Sequence, residues 1–311
     1  MGELRKDYIL DRWIVISTGR SKRPKQFKKV EAEHVKLDFF APGNENMTPP
    51  EIGRIGTENK WQMRWFDNKF PALEPEGQVD IKTDNKYFTF SANYGHHEVL
   101  VETPRLDKQL SDLTVKQIET LLKVYCERID DLSSKPNIKY VCVFKNHGRK
   151  GGTSIVHSHS QITALNHIPK EIREEVKACK KYDNCPYCEI IEVEKQSDRR
   201  CYENDDFVAF TPYASRFNYE IWVFPKQHVK TLKETNLPSL AEIMKKILKK
   251  IKNLGADYNY YLHYAPKGED LHFHIEVIPR IATWAGFEFG SGETINSVSP
   301  EDAAKYYRGE K

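Results

Sequence analysis

The chain lacks any apolar run of membrane-spanning length, and Met1-Gly2-Glu3-Leu4-Arg5-Lys6 carries charge where a secretory leader would be apolar. No membrane partner is expected. It also lacks a dominant charge. Its 48 Lys and Arg against 45 Asp and Glu leave a net +3, too weak a field to point to nucleic acid. Cysteine is sparse, with six in 311 residues, and only Cys185 and Cys188 stand close together. That pattern excludes a disulfide scaffold and points to reduced thiols in a cytoplasmic protein. At this length the chain can bury a sizeable core, as one large or two medium domains.

What is present gathers at residues 151–161, Gly-Gly-Thr-Ser-Ile-Val-His-Ser-His-Ser-Gln. Alternate residues of a strand share a face, so His157, His159 and Gln161 would line up together. The turn before them, 146–154, is basic and bears glycines. Its amides, with Asn146, Gly152 and the hydroxyls of Thr153 and Ser154, could cradle a phosphate. Neutral imidazole is a competent nucleophile near pH 7 and can carry a phosphoryl or nucleotidyl group covalently. Gln161 can donate to phosphate oxygens without a carboxylate's repulsion. Taken alone, His-x-His also fits a half-buried strand with structural or metal-binding histidines. The glycine-bearing turn and the terminal Gln favour phosphate chemistry.

Taken in order, residues 8–17 read as a strand, 31–60 as loop, and 62–67, 87–91 and 97–102 as further strands. Thr114 and Gln117 form a capping box opening a helix with apolar positions Ile118, Leu121, Leu122, Tyr125, Cys126, Ile129 and Leu132. Adding 122 gives Leu240, Ile243, Met244, Ile247, Leu248, Ile251 and Leu254, with Gly255 as the stop. The same offset pairs Val99 with Ile221, Val101 with Val223 and His97 with Tyr219. The second half then offers His272, His274 and Glu276 where the first has His157, His159 and Gln161. The expected fold is α+β: two tandem units over 1–175 and 176–311, each an antiparallel sheet with packed helices. The second copy's turn, 264–270, is shorter and acidic, so nucleotidyl chemistry is expected in the first half only. His274 and Glu276 receive no chemistry.

Cys185-Pro186-Tyr187-Cys188 has the spacing of two thiolates on one metal. With His228 and His272 it would close a tetrahedral, structural Zn²⁺ site pinning the loop between the halves to the second sheet.

Together these residues resemble the galactose-1-phosphate uridylyltransferase family, within the histidine-triad superfamily. The resemblance covers almost the whole chain. It runs through Leu4-Arg5-Lys6-Asp7, Arg20-Ser21-Lys22-Arg23-Pro24, Asn68-Lys69-Phe70-Pro71-Ala72-Leu73 and Gly95-His96-His97-Glu98-Val99. It continues through Asn146, Gly152, Ser154 and 157–161 to Ala285-Gly286-Phe287-Glu288. It implies that His159 becomes nucleotidylated and that Gln161 stabilises the intermediate. Asn146, Gly152 and Ser154 would hold the phosphates, with Arg20 and Arg23 adding positive charge. Asn68 and Phe70 would border the nucleoside, and Glu288 would contact the sugar. The implied reaction is ping-pong: UDP-glucose gives UMP to His159, glucose 1-phosphate leaves, and galactose 1-phosphate collects the UMP. A homodimer, each site completed by the partner chain, is implied as well.

The chain also departs from that family. The cysteines of its first zinc site correspond here to Asp38 and Ala41, so that zinc is expected to be lost. Asp38, His97 and His157 would remain as a degenerate metal site, or as a hydrogen-bonded group orienting the catalytic strand. Ser158 stands where the best-known members have proline, and His-Ser-His-Ser-Gln looks like the ADP-sugar phosphorylase branch, which moves AMP. Three readings follow. The first is a hexose-1-phosphate uridylyltransferase, and the second a phosphorylase of ADP-sugars or dinucleoside polyphosphates. The third, of another class, is a zinc-containing nucleotide-binding module without turnover.

Overall fold

The structure, a computed structural model, describes residues 2–22, 37–58 and 60–310. Its strands are β1 (Glu3–Lys6), β2 (Trp13–Ile16), β3 (Glu51–Thr57), β4 (Lys60–Asp67), β5 (Lys82–Thr83), β6 (Thr89–Phe90), β7 (Gly95–Val101), β8 (Tyr140–His147) and β9 (His159–Leu165). The second half adds β10 (Arg200–Glu203), β11 (Phe207–Phe210), β12 (Ile221–Pro225), β13 (Tyr258–His263), β14 (His274–Pro279) and β15 (Thr294–Asn296). Helices are α1 (Val115–Ser134), α2 (Lys170–Cys179), α3 (Pro186–Lys195), α4 (Leu237–Asn253), α5 (Gly286–Ser291) and α6 (Pro300–Arg308).

Ten strands form one sheet in the order β10-β11-β12-β14-β13-β8-β9-β7-β4-β3. From the centre outward, β8-β9-β7-β4-β3 on one side mirrors β13-β14-β12-β11-β10 on the other. The architecture is therefore the expected α+β duplication. The copies meet where β8 and β13 pair antiparallel, with Asn146 opposite Asn259 and Phe144 opposite Tyr261. A smaller sheet, β1-β2-β15, ties the chain's two ends together.

The capping box forms as expected: Gln117 N donates to Thr114 Oγ1 (3.2 Å) and Thr114 N to Gln117 Oε1 (2.9 Å). α4 ends at Gly255, whose φ of +65° is the left-handed stop that favours glycine. α1 and α4 pack on one another through Leu121, Leu122, Ile243 and Ile247, all buried. Each such side chain contributes roughly 1.5–3 kcal/mol. On the same side of the sheet, Val141, Val143, Ile162 and Ala164 are fully buried. The opposite face of β8 and β9 carries Asn146, Phe144, His159 and Gln161, with Phe144 in register with Gln161.

Three sequence expectations need correction. Residues 8–11 are a bend, not strand, because the Asp7 carboxylate accepts from Ile9 N (3.1 Å) and Leu10 N (3.0 Å), closing a turn before β2. The stretch 31–60 is not all loop: β3 pairs with β4, and its glycines hid it. Gly53 lies so close to Trp65 that a Cβ would sit 2.4 Å from the indole. Tyr219 is not the strand counterpart of His97; it turns at φ +61° just before β12.

Candidate active site

β9 begins on His159, and the preceding residues fold back so that His159 Nδ1 donates to the carbonyl of His157 at 2.7 Å. A carbonyl can only accept, so the proton sits on Nδ1 and the lone pair on Nε2. Among the described residues Nε2 takes no hydrogen-bond partner, and the residue as a whole is 7% exposed. Phe40 stands edge-on to the ring, centroids 5.4 Å apart. Burial pushes the His159 pKa down to about 4, so the ring is neutral at physiological pH.

Gln161 is oriented by His97. Ala72 N donates to His97 Nδ1 (3.2 Å), which leaves the ring proton on Nε2 to donate to Gln161 Oε1 at 2.8 Å. Gln161 therefore turns its amide NH₂ away from His97, as a donor. Burial lowers the His97 pKa, keeping that ring neutral too. Asn68 Nδ2 lies 3.2 Å from the same Nε2, and Asn68 Oδ1 accepts from Phe70 N (2.9 Å). Phe70 itself is 83% exposed at the rim.

The degenerate metal trio does not close. His157 Nδ1 meets Asp38 Oδ2 at 2.8 Å and its Nε2 meets the carbonyl of Thr103 at 2.6 Å, so each nitrogen is already engaged by a protein oxygen and neither is turned to an open ligand position. His97 turns to Gln161 instead. The hydrogen-bonded alternative, Asp38 orienting His157, is what the geometry contains.

Beside His159, the 3₁₀ turn Arg149–Gly151 ends on Gly152 in the left-handed region, φ +85°. Ser154 is exposed on this turn, whereas the Thr153 hydroxyl donates to Ile155 O (3.0 Å) and is turned from the cradle. The second half buttresses the turn. Asp257 Oδ2 accepts from Lys150 N (2.8 Å) and lies where any Cβ on Gly148 would fall, 1.9 Å from its Oδ1. Asn259 Nδ2 donates to Asn146 Oδ1 (2.7 Å) and Gly151 O (2.6 Å), and Arg280 holds Asn259 Oδ1 (3.0 Å). Asn146 is thereby left with its NH₂ as the outward donor. A cleft of about 480 Å³ adjoins the turn, walled by Phe144, Asn146, Gly151, Arg280 and Trp284. Arg20 lies exposed on the 3₁₀ turn Thr18–Lys22, and Arg23 lies outside the described residues. Glu288 accepts from Ala285 N (2.8 Å) in α5 and makes no hydrogen bond to the cradle.

Among the described residues, two groups of side chains could hold metal ions. Cys185, Cys188, His228 and His272 place one ligand atom each within 4.8 Å of one another. The outer nitrogens face acceptors, His228 Nε2 toward Asp270 (2.9 Å) and His272 Nε2 toward Pro225 O (3.0 Å), so both Nδ1 lone pairs point at the sulfurs. Burial pushes His272 down to about 3, the neutral form a ligand needs. It pushes the Cys188 thiol up to about 12, so a dication must expel that proton to bind. The second group is Glu175, His263, His274 and Glu276, all buried and again within 4.8 Å. His274 Nε2 is buried there without a hydrogen-bond partner, an orphan a cation would satisfy.

Comparison with known proteins shows the family. A galactose-1-phosphate uridyl transferase N-terminal domain profile matches residues 2–169. The chain belongs to the galactose-1-phosphate uridylyltransferase family. It is 31% identical to an ADP-glucose phosphorylase of Arabidopsis thaliana, over 98% of this chain and 92% of that one. It is 30% identical to a galactose-1-phosphate uridylyltransferase of Thermotoga maritima, over 99% and 98%. The crystal structure of the Arabidopsis ADP-glucose phosphorylase with bound ADP-glucose superposes with a TM-score of 0.86 at 30% identity, over all of both chains. Residues 184–285 also match a domain described as the scavenger mRNA decapping enzyme C-terminal binding region.

Asp257, Asn259 and Phe40 went unread in the sequence; nothing in their local pattern marks them. Titration of His159, followed by NMR and assigned through His159→Gln, should show a midpoint near pH 4. Because burial lowers the folded pKa, protonation must be forced at lower pH; a midpoint near 6.5 would mean that the ring is open to water.

Proposed function

We propose that this protein transfers a nucleoside monophosphoryl group from a nucleoside diphosphate sugar to a phosphate-bearing acceptor, through a covalent nucleotidyl-His159. UDP-glucose and a hexose 1-phosphate are the leading substrates. The observation that carries this reading is the His159 ring itself: neutral, its proton held at Nδ1 by the His157 carbonyl, its Nε2 lone pair without a partner among the described residues. In the first step Nε2 attacks the α-phosphorus and the bond to the bridging oxygen breaks. The sugar 1-phosphate leaves with that electron pair, while the Nδ1 proton stays where it was. In the second step an oxygen of the acceptor phosphate attacks the same phosphorus, the N–P bond breaks, and neutral imidazole returns. The Gln161 and Asn146 amides and the Ser154 hydroxyl are suited to the phosphoryl oxygens, and stabilising charge there is a large catalytic term; Gly152 shapes the turn, its own N–H being held by Arg149 O (3.1 Å). The adjoining cleft has room for the leaving sugar.

A second reading, adenylyl transfer from an ADP-sugar to inorganic phosphate, is supported by Ser158 and by the full-length likeness to ADP-glucose phosphorylase. Asn68 and Phe70 are assigned to the border of the nucleoside, Arg20 and Arg23 to added positive charge and Glu288 to the sugar, in a homodimer; Thr153, its hydroxyl spent on Ile155 O, is left out of the binding set. Residues 1–175 act as the catalytic unit and 176–311 as its support. Cys185, Cys188, His228 and His272 hold a structural Zn²⁺ that takes no part in the transfer.

Incubation with UDP-glucose or ADP-glucose separately, followed by intact mass under alkaline denaturing conditions, should show a UMP or AMP adduct. The adduct should be absent in His159→Gly, and added imidazole should restore transfer to that variant. If neither nucleotide attaches to the natural protein, the covalent mechanism is wrong. Metal analysis should return zinc, lost in the Cys185→Ser/Cys188→Ser variant together with a fall in Tm on the order of 10 °C. Zinc affinity should weaken as pH falls, since protons then compete for the thiolates.

A further inference from the structure

Behind the catalytic strand lies a polar network that nothing above uses. Lys145 projects from β8 on the inward face it shares with Val141 and Val143, and is 1% exposed. Its ammonium pairs with Glu102 Oε2 at 2.6 Å and donates to Ser158 Oγ (3.1 Å) and to the carbonyl of His159 itself (3.0 Å). Glu102, also 1% exposed, accepts from the hydroxyls of Ser158 and Ser160, and its backbone N donates to Ser158 O at 3.1 Å. Ser160 is held in turn by Tyr125 from α1, and Tyr125 by Tyr260 from β13 at 2.6 Å. One buried ion pair therefore grips the residue before the nucleophile, the residue after it and the nucleophile's own backbone.

Stability alone does not account for the pair. Taking two charges into a core is costly, and an apolar pair filling the same space would serve folding as well or better. What an apolar pair could not do is hold three groups of one strand in fixed register. A proline at 158 would offer no hydroxyl to either ion.

We propose that Glu102 and Lys145 are positioning residues for His159, clamping the 158–160 backbone from behind so that Nε2 is aimed at the α-phosphorus. The inference rests on the reading of His159 as the nucleotide carrier. Neither residue touches the ring nitrogen or reaches the nucleotide; both act through Ser158, Ser160 and the His159 carbonyl.

The test uses the full-length protein with Glu102→Gln, Lys145→Met, the double variant and Ser158→Ala. Tm, nucleotide-sugar dissociation constant and single-turnover rate of adduct formation are measured for each. Each single ion replacement should slow adduct formation about 10²-fold, the scale of a small misplacement of reacting atoms, while donor affinity stays within about threefold. Both should also lower Tm, each leaving one unpaired buried charge. In the double variant Tm should recover and the rate should not. Ser158→Ala, which keeps both ions, should slow the reaction about tenfold with Tm unchanged. Should a single variant fail to fold, the double variant and Ser158→Ala decide. A double variant that regains both Tm and rate would show the pair to be structural only, as would labelling of all variants at the natural rate. Absence of any adduct in the natural protein would instead overturn the nucleotidyl-His159 reading, so the two failures are distinguishable.

Discussion

The chemistry open to this molecule depends on one hydrogen bond, from His159 Nδ1 to the carbonyl two residues back. Imidazole has two nitrogens and, when neutral, one proton; whichever nitrogen donates, the other becomes the nucleophile. By assigning the proton to the strand's own backbone, the fold presents Nε2 outward without recruiting a carboxylate that would repel phosphate. Burial then removes the competing cationic form, and the glycine-bearing turn supplies the polarity that the buried ring has given up.

The second half works as an internal control. His274 begins β14 as His159 begins β9, and its Nδ1 makes the matching bond to His272 O at 3.0 Å. Yet His274 is fully buried: Phe224 stacks on it with ring centroids 4.6 Å apart, and Tyr187 of α3 covers it at 5.2 Å. Glu276, in place of Gln161, is held by Arg216, which against the pull of burial keeps the carboxylate well below its usual range. The same local backbone thus serves two ends. Open and faced by an amide, it suits an anion; sealed and faced by carboxylates, it suits a cation. Duplication supplied the geometry, and a few covering residues divided the roles.

Much of this was legible in the sequence for physical reasons. Helices α1 and α4 announce themselves through a 3.6-residue apolar period and a capping box, and alternation places His157, His159 and Gln161 on one side of a strand. The four ligands of the cysteine knuckle could be gathered because thiolate spacing is a strong local signal. Contacts made across the β8–β13 joint were not legible. Asp257 and Asn259 support the first-half turn from more than a hundred residues away, and no local pattern encodes such a pairing. Lys145 is a different case. It shares its face with Val141 and Val143, so a charged residue in the apolar register was there to be noticed, and its partner Glu102 follows directly on the buried run of β7. Between the two alternatives for Asp38, His97 and His157, metal or hydrogen bonds, spacing could not choose, because it cannot show where a ring nitrogen turns.

The hydrogen bonds of that trio show how the first half keeps its order at this point. A metal at this point would fix His157, and through its carbonyl the tautomer of His159. Here Asp38 and the Thr103 carbonyl grip the two nitrogens of His157 instead. The bond to the Asp38 carboxylate is worth about 1.5–3 kcal/mol and that to the neutral carbonyl about 0.5–1.5, together ample to hold one ring that is already 99% buried by its neighbours. Asp38 also accepts from Phe40 N at 3.1 Å, and Phe40 is the residue whose ring stands against His159. The carboxylate therefore reaches His159 along two routes, through His157 from one side and Phe40 from the other. An ion coordinated by His157 would act through only the first. The strand is thus held by a hydrogen-bonded frame built from residues that line the site.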